Sequence, residues 1–204
     1  MSFLENLAWR FATKKFDSGK SVSKENLNKI LEAVRMAPSA YGLQPYHIFV
    51  IKDPELRKKL KSESFLQSQV TDASVLLVFC ARTDLGQVID EYIELVSGGK
   101  LLAKTKLLPF KIVMQTDLGR KKGEAALTWA TKSTGVALGF GLAACAELKI
   151  DSCPMEGFSV RGVSRVLNLP SHLIPVAYLA VGYRLEEPTR PKVRFSETEL
   201  FSRR

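Results

Sequence analysis

Four short segments, far apart in this chain, carry residue types suited to holding a phosphorylated ring system. They are Arg10-Phe11-Ala12-Thr13-Lys14, the run from Pro38 to Tyr46, Cys153-Pro154-Met155-Glu156-Gly157-Phe158, and Lys192-Val193-Arg194. A phosphate monoester carries about two negative charges near neutral pH, and a forked guanidinium with a second cation matches its oxygens. Arg10 and Lys14 form such a pair on a stretch without helical periodicity, while Lys192 and Arg194 alternate along an extended tail and so point to one side. Either pair alone also reads as a solvated basic face. Pro38-Ser39-Ala40 offers backbone groups and a hydroxyl, and Gly157 lets a ligand approach the main chain closely; both segments also suit plain turns. Gln67 and Gln69 carry amides that donate and accept, with an exposed polar loop as the alternative.

Other chemistries are poorly supported. Gly139-Phe140-Gly141-Leu142-Ala143-Ala144 fits the dinucleotide pattern G-x-G-x-x-A, but it lies inside a helical run and Asp151 follows too soon to meet a ribose. There is no phosphate-binding P-loop, no G-x-S-x-G and no Cys/His cluster with metal-ligand spacing, so no metal site is expected. His47 and His172 lie in or beside apparent strands, where a packed imidazole is the commoner role, and neither is assigned to catalysis.

The elements that must position these residues follow from periodicity. Phe3, Leu4, Leu7 and Ala8 suggest a short helix ending before Arg10, and Ser23 caps a second whose face is Leu27, Ile30, Leu31 and Val34. Pro38 closes that helix and leads through a loop into a strand at 46–52. Asp53-Pro54 opens a helix to about Lys61, and the apolar run from Val75 to Ala81 reads as a central strand. A helix through Val88, Ile89, Tyr92, Ile93 and Val96 stops at Ser97-Gly98-Gly99, and the stretch around Leu107 to Phe110 reads as a mobile part of a variable excursion over 84–121. Residues 123–148 contain no proline and predict one long helix. On it Gly135, Gly139 and Ala143 recur at four-residue spacing beside Ala137 and Gly141, and a second copy of the helix is expected against these small residues. A turn at 151–158, a helix near 159–167, a strand at 174–184 and a basic extended arm over 188–204 complete the reading.

With 204 residues, 46% apolar and 25% charged, the chain suits one soluble domain, 1–204. The longest apolar stretch, Val136 to Ala146, falls short of the roughly 20 residues that cross a bilayer. The N-terminal residues lack a secretory pattern, so a cytoplasmic protein without membrane contact is expected. Cys80, Cys145 and Cys153 sit in apolar surroundings and predict no disulfide. The net charge of +9 is consistent with a solvated face, with a nucleic-acid surface, or with a field that attracts anionic ligands.

Taken together, the order and spacing of the four segments resemble the nitroreductase family of FMN-dependent NAD(P)H oxidoreductases, over most of 3–82 and 125–195. The resemblance implies an α+β fold, a mixed, largely antiparallel sheet flanked by helices, in an intertwined homodimer with FMN at the subunit interface. It implies that Arg10, Lys192 and Arg194 clamp the FMN phosphate and that Pro38, Ser39 and Ala40 lie along the ribityl chain and phosphate. Lys14 would approach the N1/O2 edge, Gln67 and Gln69 the pyrimidine edge, and Pro154, Met155, Glu156 and Gly157 one ring face, with a backbone N–H near Glu156 at N5. Lys14 and Glu156 are thus the catalytic candidates. Ala12 stands in the phosphate-binding segment where relatives carry a hydroxyl, Gly42 where they usually carry Asn, and Tyr46 where they carry Trp.

The implied activity is two-step hydride transfer from NAD(P)H to a small-molecule acceptor, a nitroaromatic, quinone or flavin. Two other readings stay open: a flavin-binding relative with flavin-cleaving or dehalogenating chemistry, and a basic nucleic-acid-binding dimer.

Overall fold

The computed structural model describes residues 2–204; Met1, the first residue of the expected domain, lies outside the described residues. Its centre is a sheet in the order β1 (Tyr46–Ile51), β2 (Val75–Arg82), β4 (Leu173–Gly182), β3 (Asp151–Met155), with antiparallel ladders throughout. Beyond β3 the N-terminal segment adds a parallel bridge, Ala12 to Ser152, which supplies the mixed character. Residues Val75 to Ala81 of β2 are all fully buried, as an apolar run covered on both faces requires.

Because side chains alternate across a strand, β2 feeds two cores. Val75, Leu77 and Phe79 meet Leu27, Ile30 and Val34 of α2 (Lys24–Arg35) and Ala137 and Cys145 of α7 (Gly123–Glu147). Leu76, Val78 and Cys80 meet Leu60 of α3 (Pro54–Ser62), Val70 of α4 (Gln69–Asp72) and Val163 of α8 (Val160–Val166). Local chemistry starts these helices: the Ser23 hydroxyl accepts from Asn26 N at 3.1 Å, and Asp53 accepts from Leu56 N at 2.6 Å with Pro54 in the first turn. The N-terminal helix α1 (Phe3–Trp9) carries a Ser2–Glu5 capping box.

Three expectations need correction. The stretch around Leu107 to Phe110 is not a loop but part of α6 (Leu101–Leu118), with Pro109 inside the helix. An internal proline costs about 3 kcal/mol, but Met114 and Leu118 are buried with Leu85, Val88, Ile89 and Ile93 of α5 (Leu85–Ser97) and Ala126 of α7. That packing offsets the proline. Second, the segment expected as a turn from Asp151 begins as β3, where Pro154 is tolerated on an edge strand. Third, the arm includes a one-turn helix, α9 (Glu197–Leu200), started by Ser196 and Glu199.

The small residues of α7 also divide. Ala137 and Gly141 are buried, and a Cβ at Gly141 would stand 3.1 Å from Val34 and 3.2 Å from Leu179, so this row serves the chain's own sheet and α2. Gly135 and Gly139 face open space, with nothing within 4 Å of an added Cβ. Only the second row is free for another helix.

Candidate functional site

The β3 edge of the sheet gathers most of the predicted residues. Thr13 N donates to Ser152 O at 3.2 Å, and the Thr13 hydroxyl donates to Asp151 Oδ1 at 3.3 Å, so residues 10–14 lie as a strap along β3. Asp151, 5% exposed, also accepts from Arg184 Nε at 2.7 Å and from Arg184 N at 2.8 Å. The Arg184 guanidinium stands 4.7 Å, and the Lys149 ammonium 4.8 Å, from the centroid of the Trp9 ring, which fixes the end of α1 just before Arg10. The strap is therefore held at both ends. Lys14 donates to the Cys153 sulfur at 3.8 Å, bringing its charge to the strand that runs into Pro154. Burial pushes the Cys153 thiol up, and Lys14 and Arg10 pull it back.

Arg10, Lys192 and Arg194 converge on a cavity of about 280 Å³, together with Ala12 and Arg190, and no acidic side chain lines it. The Arg10 guanidinium is held below its ordinary value, first by burial and then by Arg194. Lys192 is likewise lowered, by burial and then by Arg10 and Arg194. Cations that disfavour one another in one cavity make a site complementary to an anion. The Lys192 ammonium also donates to the carbonyls of Leu7 and Ala8 at 2.8 and 2.7 Å, using acceptors that the end of α1 leaves unpaired. That contact ties the arm to the end of α1, next to the strap.

The turn after β3 is braced from below. Phe158 stacks on Tyr178 with centroids 4.3 Å apart, and Phe158 N donates to Glu156 O at 3.0 Å. Met155 is buried, whereas Glu156 is exposed, so the main chain at Glu156 and Gly157 reaches the surface. Gln67 donates through Nε2 to Gly157 O at 2.8 Å and to Ser64 O at 3.1 Å. A Cβ at Gly157 would come within 2.9 Å of that nitrogen, so a larger residue there would push the Gln67 amide aside. Gln67 thus lies beside the turn and holds it in place. Gln69 lies in α4 and is 7% exposed, which rules out an exposed loop and leaves a ligand little access to it.

Pro38, Ser39 and Ala40 stand elsewhere. They lead into β1, at the opposite edge from β3, and with three inter-strand steps of about 4.8 Å the edges are separated by roughly 14 Å. Their loop is held in an uncommon conformation, with positive φ at Tyr41, Gly42 and Gln44. Ser39 Oγ accepts from Gln44 N at 2.9 Å, and Tyr41 donates to Asp117 Oδ2 of α6 at 3.0 Å. Such over-determined strain is common where a loop meets a ligand. One copy of the chain does not bring this loop to the other residues.

Sequence reasoning missed three participants. Asp151 and Arg184 carried no local signal, since their pairing depends on β3 meeting β4. Arg190 did carry one: it precedes Lys192 by the same two-residue step that relates Lys192 to Arg194.

Among the described residues, no helix is long and apolar enough to cross a membrane, and no cluster of His, Cys, Asp and Glu is arranged for a metal ion. The nitroreductase family profile matches residues 7–183. A Staphylococcus epidermidis protein, provisionally named an NAD(P)H nitroreductase, is 33% identical over 98% of this chain and 96% of its own length. The nitroreductase family protein of Streptococcus pneumoniae superposes with a TM-score of 0.83 at 26% identity, with 100% of both chains covered. A protein of Exiguobacterium sibiricum, provisionally named a nitroreductase and solved in complex with FMN, has a TM-score of 0.86 at 20% identity, over 100% of this chain and 98% of its own.

Proposed function

This chain belongs to the nitroreductase family, and from that premise we propose that it is an FMN-dependent NAD(P)H oxidoreductase reducing nitroaromatics, quinones or flavins. The cofactor's fit rests on the anion-complementary cavity at Arg10, Lys192 and Arg194 and on the turn after β3, which comes to the surface at the exposed Glu156. When bound, FMN supplies a two-electron carrier able to take hydride from a reduced nicotinamide and deliver it to an electron-poor acceptor.

The chain's own residues bind and tune. Arg10, Lys192 and Arg194 hold the phosphate through charge-assisted hydrogen bonds. Lys14, exposed but drawn to the Cys153 sulfur at 3.8 Å, would meet the N1/O2 edge, where a cationic side chain favours the reduced form. The backbone near Glu156 meets the ring through an N–H, with Met155 and Phe158 anchoring the turn in the core. Gln67, both of whose amide protons are engaged, offers its carbonyl oxygen to the pyrimidine edge.

Pro38, Ser39 and Ala40 complete the site from a second copy of the chain, which docks through the open Gly135–Gly139 row of α7. The observation that carries the whole reading is the convergence of Arg10, Lys14, Lys192 and Arg194, distant in sequence, along one sheet edge beside the glycine turn. Protein purified with FMN should be yellow and dimeric and should bleach anaerobically on addition of NADPH or NADH. A flavin-loaded preparation that neither nucleotide reduces would overturn the reductase assignment.

A further inference from the structure

Arg190 stands where two cavities meet. One, about 280 Å³, is the anion-complementary cavity of Arg10, Lys192 and Arg194; the other, about 290 Å³, has Lys14, Lys15 and Arg184 on its wall together with Glu186 and Glu187. The cations of the second cavity are mostly committed. Lys15 pairs with Glu186 at 3.1 Å, and Arg184 pairs with Asp151 and Glu187 at 2.7 Å each. Arg190 forms no ion pair with the described residues. It shares the smaller cavity with Phe11 and Ala12 of the strap, neither of which offers a side-chain donor. Although Thr189 and Arg190 lie in a bend of the arm, Arg190, Lys192 and Arg194 all line that cavity.

We propose that Arg190 is a further guanidinium for the cofactor phosphate, standing in for the donor that Ala12 cannot provide and setting the preference for FMN over riboflavin. The proposal rests on the FMN reading above. A guanidinium presents several N–H donors in a fixed fork, so one arginine can both replace a hydroxyl's hydrogen bond and add charge. Riboflavin has the same ring and ribityl chain without the phosphate, so its binding should not sense Arg190.

The test is a titration of apo-protein with FMN and with riboflavin, followed by quenching of flavin fluorescence. Arg190→Gln should weaken FMN binding about tenfold, the loss of one charge-assisted hydrogen bond, while riboflavin binding changes less than about twofold on the same scale. Arg190→Lys should retain more FMN affinity than Arg190→Gln, and Ala12→Ser should restore affinity in the Arg190→Gln background more than it raises that of the unsubstituted protein. The dependence of log Kd on log salt should become shallower in Arg190→Gln. Equal weakening of both flavins, or no change in their ratio, would overturn the assignment of Arg190 while leaving FMN binding intact. If the unsubstituted protein binds neither flavin, the FMN reading itself fails, and this inference with it.

Discussion

Alanine at Gly141 and alanine at Gly139 should shift stability in opposite directions, although the two glycines are two residues apart on one helix. At Gly141 the added Cβ would stand 3.1 Å from Val34 Cγ2 and 3.2 Å from Leu179 Cδ2. Val34 is 3% exposed and Leu179 fully buried, so neither methyl has room to retreat. Overpacking of this kind costs about 1–3 kcal/mol, and the gain in helix propensity from Gly to Ala returns about 1 kcal/mol. The net is a loss of roughly 1 kcal/mol, worth about 2–4 °C in Tm for a chain of this size. At Gly139 nothing lies within 4 Å of the added Cβ, so only the propensity gain acts within one copy. Gly139→Ala should therefore raise Tm by about 2–4 °C in dilute solution. At higher protein concentration it should lose the rise in Tm that association gives the unsubstituted protein, because the new methyl intrudes on the partner helix. Thermal unfolding followed by circular dichroism over a hundredfold range of concentration reads both effects, and gel filtration of Gly139→Leu reads the association directly. A Gly141→Ala protein as stable as its parent would refute the packing of that row, and a fully dimeric Gly139→Leu would refute pairing through the open row.

Three further outcomes follow from the site and the core. Asp151→Ala removes the buried partner of the Arg184 guanidinium but leaves Glu187 at 2.7 Å, so the loss is that of a charged hydrogen bond, about 1.5–3 kcal/mol; urea denaturation should show it, and a loss below about 1 kcal/mol would mean that the pair does not hold the strap. Burial pushes Cys80, Cys145 and Tyr178 each up to about 12. The folded chain thus keeps protons that the unfolded chain releases from its ordinary 9.0 for Cys and 10.0 for Tyr, so stability is whole below about pH 9 and falls as pH rises toward 12. Urea midpoints at pH 8, 9.5 and 10.5 should decline in that order, and a flat series would contradict the burial. Lys14→Met should make the midpoint potential of bound FMN more negative and slow anaerobic reduction by NADPH about a hundredfold; an unchanged potential in spectroelectrochemical titration would remove Lys14 from the flavin edge.

Features caused by neighbours a few residues away were legible from the start. Ser23 and Asp53-Pro54 open helices because a side-chain oxygen reaches N–H groups one turn on, and Gly98 ends α5 because its left-handed conformation suits a residue without Cβ. The central strand was readable because a run buried on both faces must be apolar throughout. Cations at Arg10, Lys14, Lys192 and Arg194 were visible as pairs, since charge and two-residue alternation are local properties, and the same alternation extended one step further would have included Arg190.

Other features depended on contacts between distant parts of the chain. Pro109 argues for a break, and only the burial of Met114 and Leu118 against α5 keeps α6 whole. Two rows of small residues on α7 have the same spacing, and which one faces solvent depends on where the sheet and α2 lie. Sequence alone thus determined the capped helices α1, α2 and α3, the long helix α7, the central strand and the kinds of ligand that the charged segments suit, because those arise from near-neighbour sterics and side-chain chemistry. The strand order β1-β2-β4-β3 decided the rest: it draws the strap, the glycine turn and the arm to one edge and sends Pro38 to Ala40 to the other. Pairing order is a long-range property that no short segment encodes, and it is why the predicted residues fall at two edges of the sheet rather than one.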